Sequence, residues 1–73
     1  MNLVQLKSEV IDCKARMLSA ELSYEHYKHN YVMLGMEYWL LEMKAANDKL
    51  KAARENLRKA RQAVAITESV VLR

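Results

Sequence analysis

The densest run of side chains able to ligate a metal or carry a proton is Glu25-His26-Tyr27-Lys28-His29. Histidines three apart share one side of a helix, and a carboxylate beside them is the start of a zinc site. The helical zinc-protease pattern, however, spaces its histidines four apart with a glutamate between them. A tetrahedral site would also need two further ligands, and Cys13 lies about three helical turns upstream. The expectation is two surface histidines near a helix end, with no metal and no cofactor, whose titration near neutral pH is able to tune an interface. Cys13 as a nucleophile would need an activating base, and none is within helical reach. As the single cysteine it forms no intramolecular disulfide, which suits a reducing compartment, and at a core position it is a small hydrophobe. Ser8, Ser19, Ser23 and Ser69 lack triad companions, and there is no glycine-rich phosphate loop. No enzyme is expected.

Charge is the other chemistry on offer. Between Lys44 and Arg61 the chain carries seven cations against two carboxylates, Asp48 and Glu55. Lys44, Lys51, Arg54, Arg58 and Arg61 are the candidate basic face, able to meet phosphates with steeply salt-dependent affinity. Against that reading, the seven charges spread around several helical positions, and no aromatic residue interleaves them for base stacking. A solvated helix surface is the plainer assignment, with Glu55 and Lys59 as a supporting pair one turn apart. An acidic protein partner fits at least as well as a nucleic acid.

These groups must be positioned by helices. The chain has no proline, one glycine (Gly35) and no phenylalanine, and is rich in Ala, Leu, Glu, Lys, Arg and Met. Asn2 followed by Gln5 fits a capping box. Leu3, Leu6, Val10, Cys13, Met17, Ala20, Tyr24, Tyr27, Tyr31 and Leu34 then alternate by three and four, the seam of a coiled coil. A second series runs Met36, Trp39, Met43, Ala46, Leu50, Ala53, Leu57, Ala60, Val64, Thr67 and Val71. It starts two residues too early to continue the first. Asn30 and Gly35 flank the slip, and both tolerate the left-handed conformation that ends helices. The reading is an all-α antiparallel hairpin: one domain over 1–73, a helix over 3–29, a turn at 30–35, a helix over 36–66 and a tail over 67–73 weakened by β-branched residues. A single long kinked helix, and a three-helix arrangement with a short helix near residues 31 to 41, are the alternatives. The alternation of bulky residues with alanines in the second seam suits close packing against the bulkier first.

The first helix carries a second apolar stripe, Val4, Ile11, Ala15, Leu18 and Leu22, with Lys7, Lys14 and Glu21 between the two. A hairpin covers one stripe and leaves the other exposed, the mark of an interface. Leu40 and Leu41 pose the same problem on the second helix. A homodimer or higher oligomer forming a four-helix bundle is the simplest remedy; a monomer with a folded-back tail is the alternative. All five aromatic residues, Tyr24, Tyr27, Tyr31, Tyr38 and Trp39, crowd the turn. They either cap the core or, for Tyr31, Tyr38 and Trp39 in particular, anchor a partner.

Apolar residues make up 52% of the 73, which argues against disorder, and the net charge of +3 permits nucleic-acid contact without demanding it. The longest uncharged run, Asn30 to Met36, is too short to span a bilayer, and the N-terminus lacks signal-peptide character. A cytoplasmic location without membrane contact is expected. In size and composition, not in any motif, the chain resembles small accessory proteins of bacteriophages and mobile elements. That resemblance implies a host cytoplasm and a host machine as target. The functional expectation is a non-enzymatic protein–protein interaction module, a small regulator or inhibitor that binds itself and a larger protein. A nucleic-acid-binding helical dimer and a purely structural coiled-coil segment are the alternatives.

Overall fold

The computed structural model describes residues 2–71. Asn2 opens the first helix as expected: its side-chain oxygen accepts from the Gln5 N–H at 2.9 Å, and the Asn2 N–H donates to Gln5 Oε1 at 3.3 Å. That box satisfies two of the donors every helix start leaves unpaired. The chain forms two helices, α1 (Leu3–Leu34) and α2 (Glu37–Val71), packed along each other as a hairpin.

Helix α1 runs a full turn past the expected end at His29. Asn30 does not cap; it stays helical, and its Nδ2 lies 3.3 Å from His26 Nε2 one turn back. His26, Lys28 and His29 therefore sit inside the helix and not in its last turn, which holds no basic residue. The stop is Gly35, at φ 64° and ψ 18°, whose N–H donates to the Tyr31 carbonyl at 2.7 Å. Only glycine enters this left-handed region without a steric cost. The Met36 carbonyl then accepts from Trp39 N–H at 3.0 Å and Leu40 N–H at 3.3 Å, starting α2. Glu37 lies in the first turn, where a carboxylate suits the positive end of the helix dipole. The slip in the heptad register falls at this two-residue connection, Gly35 and Met36.

Helix α2 continues to Val71, so the fraying expected from residue 67 is not seen across the described part of the tail; Leu72 and Arg73 lie outside the described residues. Thr67 and Glu68 are half-buried, and Glu68 meets Lys7 Nζ at 3.3 Å across the hairpin. Packing against the start of α1 outweighs the weak helix propensity of the β-branched residues.

Two cross-helix ion pairs set the register: Lys7 with Glu68, and Glu21 with Arg54 at 3.6 Å. Ala20 and Tyr27 of α1 share a groove with Ala46 and Ala53 of α2, and Tyr24 borders another with Leu50, so bulky and small residues meet along the seam. From Leu3 to Tyr31 the α1 seam faces inward, as does the α2 seam from Trp39 to Thr67. Leu34 and Met36, the seam members nearest the turn, are exposed. Only Ala46, Leu50 and Leu57 are fully buried among the described residues, all on α2 at the middle of the seam.

The molecule measures 56 × 15 × 13 Å, with a radius of gyration of 16.5 Å where a compact chain of this length has about 11 Å. Its surface of 5649 Å² exceeds the roughly 4,700 Å² of a compact monomer of this mass.

Candidate interaction surface

The outer stripe of α1 is open. Val4 is 77% exposed, Ile11 69% and Leu22 74%; Ala15 is exposed and Leu18 partly so. Since α1 has one seam against α2, its second stripe points elsewhere: at the helical period the two stripes are about 150° apart, on nearly opposite sides. Hairpin formation therefore leaves most of the outer stripe open, although Leu18 is 46% exposed and Ile11 borders a groove with Arg61 and Val64. Single exposed apolar residues are ordinary, but a run of them along one helix face is a surface looking for a partner.

The edge between the two stripes carries the charges. Lys7 pairs with Glu68 and Glu21 with Arg54. Midway between these pairs, seven residues from each on both helices, stand Lys14 and Arg61, which are like-charged. No ion pair forms at either among the described residues. This unbalanced step in an otherwise complementary ladder became visible only once the register was known. Beside it, Lys7, Val10, Ile11, Arg61 and Val64 line a shallow, mostly apolar groove.

The basic residues of α2 are less scattered than their sequence suggests. Lys44, Lys51, Arg54, Arg58 and Arg61 recur at intervals of seven, three, four and three residues, all exposed, on the side of α2 that meets Glu21 and Lys7. Lys49 lies on the opposite edge with Arg16 and Glu42, along a groove floored by alanines and lined by Ser19, Ser23 and Tyr27. Two members of the basic side are engaged within the chain. Arg54 meets Glu21, and Arg58 grips Glu55 through Nε to Oε2 at 3.0 Å and Nη2 to Oε1 at 2.6 Å. The pair expected between Glu55 and Lys59 is replaced by this forked one, because a guanidinium matches a carboxylate in two parallel bonds and an ammonium does not. Those hydrogen bonds hold the Glu55 carboxyl below its usual value and raise Arg58.

Around the turn the aromatic residues divide. Tyr24, Tyr27, Tyr31 and Trp39 are half-buried on the inward seams, and Tyr38 is 57% exposed. Trp39 stacks edge-on with Tyr38 at 4.9 Å between ring centroids and with His26 at 6.4 Å, and lies 6.2 Å from Tyr27. Such contacts fix the indole where the helices converge. Of the three candidate anchors, the structure leaves Tyr38 outward and turns Tyr31 and Trp39 toward the core. Around the turn with Tyr38 stand exposed Val32, Met33, Leu34, Met36 and Leu41, of which only Leu41 is expected to be open from the sequence. The signal for the others is the uncharged run Asn30 to Met36.

His26 and His29 are both exposed, with His26 already contacting Asn30, Tyr27 and Trp39. No group of three or more His, Cys, Asp or Glu side chains able to hold a metal occurs among the described residues. Cys13 is half-buried on the α1 seam, at the margin of a groove shared with Arg16, Lys49 and Asn56. Among the described residues no helix is long and apolar enough to cross a membrane. The chain matches no protein-family model, no curated protein and no solved structure.

Proposed function

We propose that this hairpin is a non-enzymatic interaction module that pairs with a second copy of itself through the outer stripe of α1, forming a four-helix bundle, and offers the basic side of α2 to a larger, acidic protein that it regulates. The observation that supports self-association is the open stripe from Val4 to Leu22, most of which the chain's own fold leaves in water. The surface left over relative to a compact monomer, roughly 1,000 Å², is of the size each partner contributes to a stable interface, about 800 Å². Burial of a few Ile, Leu and Val side chains at about 1.5–3 kcal/mol each is enough to offset the entropic cost of association.

The test is the oligomeric state of the protein and of Ile11→Lys, by sedimentation or light scattering with circular dichroism alongside. The expected outcome is a wild-type dimer and a folded, helical Ile11→Lys monomer. A wild-type monomer at high concentration sinks the reading; an unfolded variant assigns Ile11 to the core instead.

The gathering of five cations on one side of α2 also favours a second reading, contact with nucleic acid. Random duplex and single strands, titrated at low and high salt, separate the two: phosphate binding falls steeply with salt, and absence of affinity at low salt removes this reading.

A further inference from the structure

We infer that the acidic partner docks as a helix along one edge of the hairpin, the third strand of a coiled coil, with a carboxylate seated between Lys14 and Arg61 and an aliphatic side chain one turn away on Val10 and Val64. This rests on the reading that the basic side of α2 meets an acidic protein. It adds the form of the partner and the place of its two anchors.

The charges of this edge repeat every seven residues on both helices. Along α1 stand Lys7, Lys14, Glu21 and Lys28. On α2 the row nearest α1 is Asn47, Arg54, Arg61 and Glu68, and the row outside it is Lys44, Lys51 and Arg58. The two facing rows complement each other in part. Lys7 pairs with Glu68 and Glu21 with Arg54, while Lys14 and Arg61, midway between these pairs, meet no carboxylate among the described residues. The outer row holds no acid. Arg58 is gripped by Glu55, but Lys44 and Lys51 form no ion pair among the described residues.

Seven residues of helix rise about 10.5 Å, the interval at which a second helix in coiled-coil contact presents equivalent positions. A helix carrying carboxylates at that interval meets Lys44 and Lys51 along one side. It also gives the Lys14–Arg61 step the acid that its neighbours already have. Val10 and Val64 lie four and three residues from Lys14 and Arg61, one turn along, and floor the groove that Arg61 borders. Both are half-buried seam residues. Of the outer stripe only Ile11 reaches this groove, so the occupant leaves Val4, Ala15 and Leu22 open. A nucleic-acid strand suits the edge less. Its phosphates follow one another at about 3.4 Å of rise along a duplex, far closer than these cations, and they offer nothing to an aliphatic floor.

The probe is a fluorescein-labelled synthetic helix of about four heptads, with leucine at its seam positions and glutamate flanking them. Repulsion between its own glutamates keeps it from pairing with itself. Anisotropy is followed at low salt for the wild type, Lys14→Glu, Lys51→Glu and Lys49→Glu, each checked by circular dichroism and a thermal melt. Lys49→Glu makes the same change in net charge on the opposite edge. The expected result is saturable binding to the wild type, at least about tenfold weaker for Lys14→Glu and Lys51→Glu and within about twofold for Lys49→Glu. Lys14→Glu is expected to melt no lower than the wild type, because its carboxylate pairs with Arg61, so its loss of binding is not a loss of fold. The same affinity for Lys14→Glu and Lys49→Glu, or tighter binding of a labelled random duplex or single strand than of the peptide, overturns the inference. Weakening by Lys51→Glu alone overturns the Lys14–Arg61 seat and leaves the basic-side reading standing. No saturable binding at low salt removes both, and self-association is read separately by sedimentation.

Discussion

Leu50→Ala is the sharpest probe of the seam. Leu50 is 3% exposed, beside Tyr24 and Arg54. Truncating a fully buried leucine costs about 2–5 kcal/mol, the low end applying where neighbours collapse into the space. A two-helix seam open along both edges collapses readily, so the cost here is about 2–3 kcal/mol. A chain of 73 residues has a total stability of roughly 4–11 kcal/mol, so this one change removes a large share of it. At about 4–8 °C per kcal/mol the melting temperature falls by roughly 10–20 °C. Ile11→Ala is the matched control. Ile11 is already 69% exposed, so the isolated hairpin loses at most about 1 kcal/mol. Melts followed by circular dichroism across a concentration series separate the two. The Leu50→Ala loss persists at every concentration, whereas the Ile11→Ala loss grows as the wild type gains from association. Equal losses for both variants at the lowest concentration would refute the assignment of Leu50 to the core and Ile11 to an interface.

Three further outcomes follow from named contacts. Gly35→Ala meets no atom within 4 Å of its new Cβ, so its cost is the left-handed backbone alone, about 1–2 kcal/mol in a urea titration, with Gly35→Asn costing less. Lys14→Glu converts the like-charged step opposite Arg61 into a third ion pair; the hairpin gains about 0.2–1 kcal/mol at low salt and nothing near 1 M salt, where screening is complete within about 3 Å. The Glu55 carboxyl, held low by its hydrogen bonds to Arg58, titrates below an unfolded glutamate. Its contribution is therefore present above the unfolded value and lost as pH falls through the folded one. In a titration followed by NMR, Arg58→Gln returns Glu55 to the ordinary range, and an unchanged value would refute the forked pair.

The helices, their seam and the N-terminal capping box were legible because each is a local or periodic signal: Asn2 with Gln5, and the three-four alternation of Leu3 to Tyr31 and Trp39 to Thr67. The helix ends were less so. Asn30 and Gly35 both tolerate left-handed geometry, and nothing local says that Asn30 instead turns to His26 while Gly35 takes the turn. The order of the tail comes with packing of Val64 and Thr67 against the start of α1, more than fifty residues away in sequence. The outer stripe of α1 was legible as a pattern and its openness follows from the number of helices. The grouping of the basic side and the mismatch of Lys14 with Arg61 required the register between helices, which no residue encodes alone.

One helix with two apolar sides ties folding to assembly. Among the described residues the hairpin buries three fully and leaves Val4, Ile11 and Leu22 largely in water, so apolar area on α1 remains for a second chain to cover. Any species that binds the folded form alone adds to its stability by mass action, and under the proposed self-association that species is the chain itself. Stability should then rise with concentration, and a competing protein that presented its own apolar helix to α1 would exchange with the second copy instead of adding to it. A partner recognised through the basic side of α2 would have no such competition, because that surface lies on the other helix from the outer stripe. Whether a captured partner displaces the dimer or rides on it therefore reports which helix it touches.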